Sequence, residues 1–217
     1  MLPLGDEDLI ARLQPRMAEV EECLLSAVSG TDELVDAPAA HLARAGGKRL
    51  RPALTLLTAE LGTASPRVVD AAVAVELTHL ATLYHDDVMD SADMRRGAQA
   101  VHEVWGNTVA ILTGDLLLAR ASRVVAGLGP EAVLIQAETF ERLCLGQLHE
   151  TLGPREGQDP IAHYLQVLAD KTGSLIAAAA RYGVMFSGGD EATAATLERY
   201  GEKVGVAFQL ADDVIDL

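Results

Sequence analysis

Residues 65–90 read SPRVVDAAVAVELTHLATLYHDDVMD, and this stretch decides the fold. Ser65 offers an N-cap oxygen, and Pro66 stands at the first helical position, where a missing N–H costs nothing. Behind them an apolar run, interrupted only by such residues as Glu76 and His79, continues without Gly or Pro to Asp90. The spacing predicts one long helix. Its last turns carry His85-Asp86-Asp87-Val88-Met89-Asp90. Residues four apart lie one above the other on a helix face, so Asp86 and Asp90 aim two carboxylates at one point. Like charges at that spacing weaken a bare helix, and a helix C-terminus disfavours anions. A positive group is expected there. A solvated acidic face is the competing reading of any one such cluster.

A second cluster, Asp212-Asp213-Val214-Ile215-Asp216, repeats the spacing behind another long apolar helix. Two matched clusters point to two helices facing each other across one cavity, as metal-binding helices do in bundles. Hard carboxylate oxygens that leave other coordination positions open suit magnesium bridging to a phosphate.

Outward from these motifs the pattern is helical nearly throughout. A first helix is expected over 6–29, with Pro15 a point of kinking. Residues 31–38 read as a connection, followed by a short helix to Arg44 and a break at Ala45-Gly46-Gly47. Pro52 fits the first turn of the next helix, which Gly62 closes. Residues 91–106 read as a polar connection without a hairpin. Asn107 is expected to cap a helix to about Gly127. Gly129-Pro130 separates it from one ending near Leu152, and 153–160 is a Gly- and Pro-rich loop. The following helix bends at Gly173 and ends near Phe186, and the last runs from Glu191 to Leu217.

The composition agrees. Hydrophobic residues make up 49% of the 217, while aromatics make up only 4%, which favours a helical core over sheet. A formal charge of −15 argues against nucleic acid and anionic membrane surfaces as partners. Cys23 and Cys144 have no metal-type spacing and imply no disulfide framework, so a reducing compartment is expected. Met1–Asp8 is acidic and lacks a signal-peptide core, and no apolar run reaches the roughly 18–20 residues that span a bilayer. The expected location is cytoplasmic.

An acidic protein that binds anions needs a local reversal of its field. Gly46-Gly47-Lys48-Arg49-Leu50-Arg51-Pro52 offers one: glycines that let a backbone approach an anion, then Lys48 and Arg51 at a helix start. Alone, this stretch reads equally as a helix boundary with solvated cations. Arg95-Arg96-Gly97 follows the first acidic cluster, either to hold phosphate beside a metal or to balance the aspartates. His79 lies seven residues before Asp86 and eleven before Asp90, offsets that return to nearly the same helix face. It reads as a ligand or as a satisfied core histidine. His85 is out of phase and reads as structural. Gln209 shares the face of Asp212 and Asp216.

With these motifs the chain resembles the all-trans polyprenyl diphosphate synthases. The match rests on Gly47–Pro52, Asp86-Asp87-Val88-Met89-Asp90, Arg95-Arg96-Gly97, Gly114-Asp115, Gly146-Gln147, Lys171-Thr172-Gly173 and Phe208–Asp216, in order over residues 40–217. The resemblance implies a single all-α isoprenoid synthase domain around a deep cavity. It implies two anionic substrates, isopentenyl diphosphate and an allylic diphosphate. By motif match, Lys48, Arg51, His79 and Arg96 would hold the first, and Arg95, Lys171, Thr172 and Gln209 the second. Asp86, Asp90 and Asp212 would coordinate magnesium, with Asp87, Asp213 and Asp216 in support. Catalysis would depend on Asp86, Asp90, Lys171 and Asp212. The family also implies a homodimer, and its members continue past the second acidic motif with further helices that this sequence does not include.

Other readings are a class I terpene cyclase and an inactive partner subunit. A cyclase needs no second-substrate cradle, against Lys48, Arg51 and Arg96. Inactive subunits lose an acidic motif, and this chain has both. Ala81 and Thr82 precede Asp86 where short-chain members of the family carry bulky aromatics. Both are small here. The expected product is therefore longer than farnesyl diphosphate, about six to nine isoprene units, such as a quinone side chain requires. Geranylgeranyl diphosphate is the alternative, should a deeper residue such as Phe140 block the tunnel.

Overall fold

The computed structural model describes residues 6–30 and 32–215. It is all-α, apart from one minute hairpin. In chain order the helices are α1 (Glu7–Ala27), α2 (Glu33–Arg44), α3 (Leu50–Thr58), α4 (Pro66–Asp90), α5 (Val101–Trp105), α6 (Asn107–Leu128), α7 (Pro130–Leu152), α8 (Pro160–Leu168), α9 (Ser174–Phe186) and α10 (Glu191–Ile215). A 3₁₀ turn (Ala59–Leu61) follows α3, and a π-helical turn (Ala169–Gly173) joins α8 to α9.

The quoted stretch forms α4 as expected. The Ser65 hydroxyl accepts from the Arg67 N–H at 3.2 Å, Pro66 opens the helix, and Ser91 ends it in the left-handed conformation. This helix is central, packed by α1, α3, α5, α6 and α9. Val73, Leu77, Leu80 and Tyr84 are buried in one core with residues from most other helices. The Tyr84 hydroxyl, inside that core, donates toward the carbonyls of Pro38 and Ala39 at 2.6 and 3.2 Å, tying α4 to α2. No helix among the described residues is long and apolar enough to cross a membrane.

Several boundaries differ from the sequence reading. The connection expected over 31–38 is mostly helix. Asp32 caps α2 by accepting from the N–H groups of Leu34 and Val35, and Pro38 lies buried inside it. The cap and the buried apolar face outweigh the hydrogen bond Pro38 cannot give. Within 91–106, Met94–Arg95 pairs antiparallel with Ala98–Gln99. Arg96 and Gly97 between them both have positive φ, 54° and 77°, the signature of a two-residue hairpin turn. Strands of two residues are too short to show alternation. Gly106, with φ 85°, takes the cap position of α6, and Asn107 is its first residue. The bend expected at Gly173 is the end of the π-helical turn.

Candidate active site

The acidic end of α4 opens onto a cavity of about 440 Å³. Thr82 and Asp86 line it from α4, Phe140, Leu143 and Gln147 from α7, and Lys171 from the π-helical turn. Most of the wall is apolar, with Asp86 and Lys171 among its few charged residues. Burial pushes the Asp86 carboxyl up to about 6, against the pull of Lys171 and Arg95 and reinforced by Asp90. The protein's own cations therefore leave this carboxylate undercompensated. Asp90 is exposed at the helix end. Asp87 is 1% exposed, its Oδ1 accepting from Arg95 Nε at 2.6 Å. Its Oδ2 is buried without a hydrogen-bond partner among the described residues. Arg95 is thus held by its inner edge against α4.

Lys171 and Thr172 sit in the π-helical turn, a geometry that often marks functional positions. Gly146 lets α7 come close: a Cβ there would lie 2.7 Å from the Lys171 nitrogen. Arg142 of α7 donates to Asp170 at 2.8 Å and pairs with Glu202 of α10 at 2.6 Å. These contacts clamp the turn between two helices. Lys171 Nζ meets Glu150 at 2.5 Å, so an anion binding Lys171 competes with that carboxylate. The Thr172 hydroxyl donates to Gln209 Oε1 at 3.1 Å, and Gln209 Nε2 donates to Asp213 Oδ1 at 2.9 Å. The Tyr164 hydroxyl donates to Asp213 Oδ2. These two hydrogen bonds, Tyr164's first, hold the Asp213 carboxyl below its ordinary value. Asp212 lies next to it, half-buried on α10. Asp216 lies outside the described residues.

The cationic half assembles around Glu76. Arg96, from the hairpin turn, reaches the Leu42 carbonyl at 3.3 Å, the Gly46 carbonyl and Glu76 Oε1 at 3.3 Å. Arg49 pairs with Glu21 at 2.5 Å and with Glu76 at 2.9 Å. Arg51 Nε is buried without a hydrogen-bond partner among the described residues, and burial pushes its guanidinium down to about 10, despite the pull of Glu76. His79, one turn beyond Glu76, is held well below the ordinary imidazole value, first by burial and then by Arg51, Arg96 and Arg49. A neutral imidazole there offers one donor and one acceptor. Lys48 is exposed, with Nζ 5.3 Å from the centroid of the Phe208 ring on α10. That contact carries the cradle toward the second acidic helix.

The structure thus brings Arg51, His79 and Arg96 into one cationic region, with Lys48 turned to Phe208, and hydrogen-bonds Thr172, Gln209 and Asp213 in series beside Lys171. Among the described residues no three His, Cys, Asp or Glu side chains form a preassembled metal cage. His85 is structural in its contacts, 3.1 Å from the Ile111 carbonyl and 3.4 Å from Asp115. Gly114 accommodates it, since a Cβ there would lie 2.3 Å from His85 Nε2. The sequence reading placed Ala81 and Thr82 together, whereas the structure puts Thr82 on the cavity wall and Ala81 in the closed core. Sequence reasoning missed Glu76, Glu150 and Tyr164. Glu76, a lone acid inside the apolar run of α4, carried a signal. The other two looked like ordinary surface residues.

Residues 32–217 match the polyprenyl synthetase family. The chain belongs to that family. It is 50% identical over 216 residues to a nonaprenyl diphosphate synthase of Mycobacterium tuberculosis, covering 99% of this chain and 64% of the relative. Among solved structures, a geranylgeranyl pyrophosphate synthase from Corynebacterium glutamicum, complexed with calcium and isoprenyl diphosphate, superposes with a TM-score of 0.90 at 46% identity. That similarity covers 99% of this chain and 67% of the other. A decaprenyl diphosphate synthase from Rhodobacter capsulatus gives 0.89 at 34% identity, over 97% of this chain and 66% of that one. The chain spans just under two thirds of the curated relatives it matches, 64%, 66% and 64% for three of them.

Proposed function

We propose that this chain, as one isoprenoid synthase domain, condenses isopentenyl diphosphate with an allylic diphosphate to give a longer all-trans polyprenyl diphosphate. The observation that carries this reading is the undercompensated Asp86 carboxylate sharing a largely apolar cavity with Lys171. A buried acid that its own surroundings do not neutralise fits a divalent cation, and the relatives solved with calcium and isoprenyl diphosphate favour the same class of ligand. Magnesium would be held by Asp86, Asp90 and Asp212, with Asp87, Asp213 and Asp216 in support, and would supply charge to the departing diphosphate.

The chain's own residues do the rest. Lys171, Thr172, Gln209 and the outer edge of Arg95 hold the allylic diphosphate. Lys48, Arg51, His79 and Arg96 hold isopentenyl diphosphate. As the allylic C–O bond breaks, its electron pair leaves with the diphosphate, and the isopentenyl double bond attacks the allylic carbon. The released diphosphate accepts the proton that is lost, so no protein nucleophile is required. Phe140, Leu143 and the other apolar lining residues exclude water from the cation.

A product of about six to nine isoprene units, as for a quinone side chain, accords with small Thr82 on the wall and with the nonaprenyl relative. Geranylgeranyl diphosphate is the second reading, and Phe140, which narrows the cavity, favours it. The proposed setting is a cytoplasmic homodimer. Leu112, Leu134 and Leu148, exposed on α6 and α7, offer an apolar surface for the partner.

The test is turnover of labelled isopentenyl diphosphate with farnesyl diphosphate, with and without magnesium. Asp86→Ala and Asp212→Ala should each lower the rate by about 10²–10³ or more. Near-normal turnover in both variants would remove the metal assignment.

A further inference from the structure

Glu76 is 1% exposed, in the middle of α4, three residues before His79 and outside the motifs quoted above for the family resemblance. A carboxylate at that depth persists only if cations surround it. Here its Oε1 meets Arg49 Nη1 at 2.9 Å and Arg96 Nη2 at 3.3 Å. Arg51 stands close enough to feel its charge. The two pairs are not equivalent. Arg49 also meets Glu21 twice, Nε to Oε1 at 2.5 Å and Nη2 to Oε2 at 3.1 Å, so that guanidinium is matched without Glu76. For Arg96 the remaining partners are carbonyls, of Leu42 and Gly46. Arg51 Nε, buried, has no hydrogen-bond partner among the described residues.

Charge balance follows. Three guanidiniums gather near two carboxylates: Arg49 pairs with Glu21 and Glu76, Arg96 pairs with Glu76, and Arg51 lies within electrostatic reach of Glu76. Glu76 offsets enough repulsion to let Arg51 and Arg96 stay close together and charged, and leaves the cluster short of negative charge. That deficit, with exposed Lys48 beside it, matches an anion of more than one charge.

We propose that Glu76 is a positioning residue for this diphosphate cradle: it fixes Arg96 and holds Arg51 beside it before the anion arrives. The inference rests on the reading of the cradle as the isopentenyl diphosphate site. Pre-organisation of this kind raises affinity because the cations do not have to be gathered on binding. Without the Glu76 charge, Arg96 is repelled toward solvent and the cradle opens. Glu76 touches no substrate in this scheme and acts only through the arginines.

Calorimetric titration of the full chain with isopentenyl diphosphate tests this without turnover. Glu76→Gln, near-identical in shape, should weaken binding about tenfold or more, while farnesyl diphosphate binding changes less than about threefold. Glu76→Asp, which keeps the charge, should recover much of the loss. Equal loss for both ligands, or none in a folded Glu76→Gln protein, overturns the proposal. Should Glu76→Gln not fold, Glu76→Gln with Arg49→Gln removes one buried charge of each sign and leaves Arg96 without its carboxylate. The same selective loss is expected, and unchanged binding overturns the proposal. Arg51→Gln separates the two layers. If it abolishes isopentenyl diphosphate binding while Glu76→Gln leaves that binding unchanged, only the role of Glu76 falls. If the wild-type chain does not bind isopentenyl diphosphate, or binds it regardless of Arg51, the cradle reading falls and the role of Glu76 with it.

Discussion

Gly47 lies flat against the guanidinium of Arg96: a Cβ at position 47 would stand 2.8 Å from Arg96 Cζ. Two segments far apart in sequence, the glycine-preceded stretch and the arginine pair after the first acidic cluster, are thereby one piece of the cradle. Gly47 also has φ +137°, which L side chains rarely adopt. Gly47→Ala should therefore displace Arg96 and weaken isopentenyl diphosphate binding about tenfold, with farnesyl diphosphate binding nearly unchanged. Separate titrations of the two ligands check this, and parallel losses would show that the contact serves only the fold.

The Asp86 carboxyl, raised by burial to about 6, gives a signed pH dependence. The folded state holds this proton more tightly than the unfolded chain, whose aspartates titrate near 3.8. Its stabilising contribution is present below that value and is lost as pH rises through about 6. Without divalent metal, Asp86→Asn should match the wild type in stability near pH 4 and exceed it by about 1–3 kcal/mol at pH 7.5. Magnesium should then raise the wild type and not the variant. Urea unfolding at the two pH values measures both. A wild type that gains on Asp86→Asn with rising pH contradicts the assignment.

Product length should respond to the residues that line the cavity. Thr82 is on the wall, and Phe140 borders both this cavity and a second one of about 290 Å³ deeper along α6 and α7. Thr82→Phe should shorten the product toward farnesyl diphosphate, and Phe140→Ala should lengthen it. Ala81→Tyr, in a closed core, should chiefly destabilise the protein, by about 1–3 kcal/mol. Chromatography of products and thermal unfolding separate these effects. An unchanged product distribution in both Thr82→Phe and Phe140→Ala would mean the chain grows elsewhere.

Tyr84→Phe removes a hydroxyl that is buried against the Pro38 and Ala39 carbonyls. Losing this buried hydrogen bond should cost about 0.5–1.5 kcal/mol of stability, read from denaturant unfolding, with little change in ligand affinity.

The long helices, their main breaks and the two acidic clusters were legible because each rests on local chemistry. Ser65-Pro66 starts α4 and the apolar run sustains it without reference to the rest of the chain. The start of α2 was not legible, because Pro38 reads as a boundary, and only burial against α4 shows it to be tolerated. The hairpin at Met94–Gln99 was too short to leave a period. In the site, spacing pointed to Asp86 and placed Gln209 on the face of Asp212, while Lys171 entered only through the family resemblance. What spacing cannot supply is partnership across the chain. Glu150 on Lys171, Tyr164 on Asp213 and Glu76 between two arginines each depend on helices brought together by folding.

The π-helical turn at Ala169–Gly173 has a consequence for how this segment can vary. It holds one residue more than the α-helix it interrupts, so it changes the angular phase of everything after it by about 100°. Lys171 can then line the cavity and Thr172 reach Gln209 while α9, directly continuous with them, turns Leu175, Ala179 and Tyr182 into the core. Losing one residue here would restore an unbroken helix and force a choice between those two faces. Substitutions in the turn should be tolerated by kind, whereas a change in its length should not.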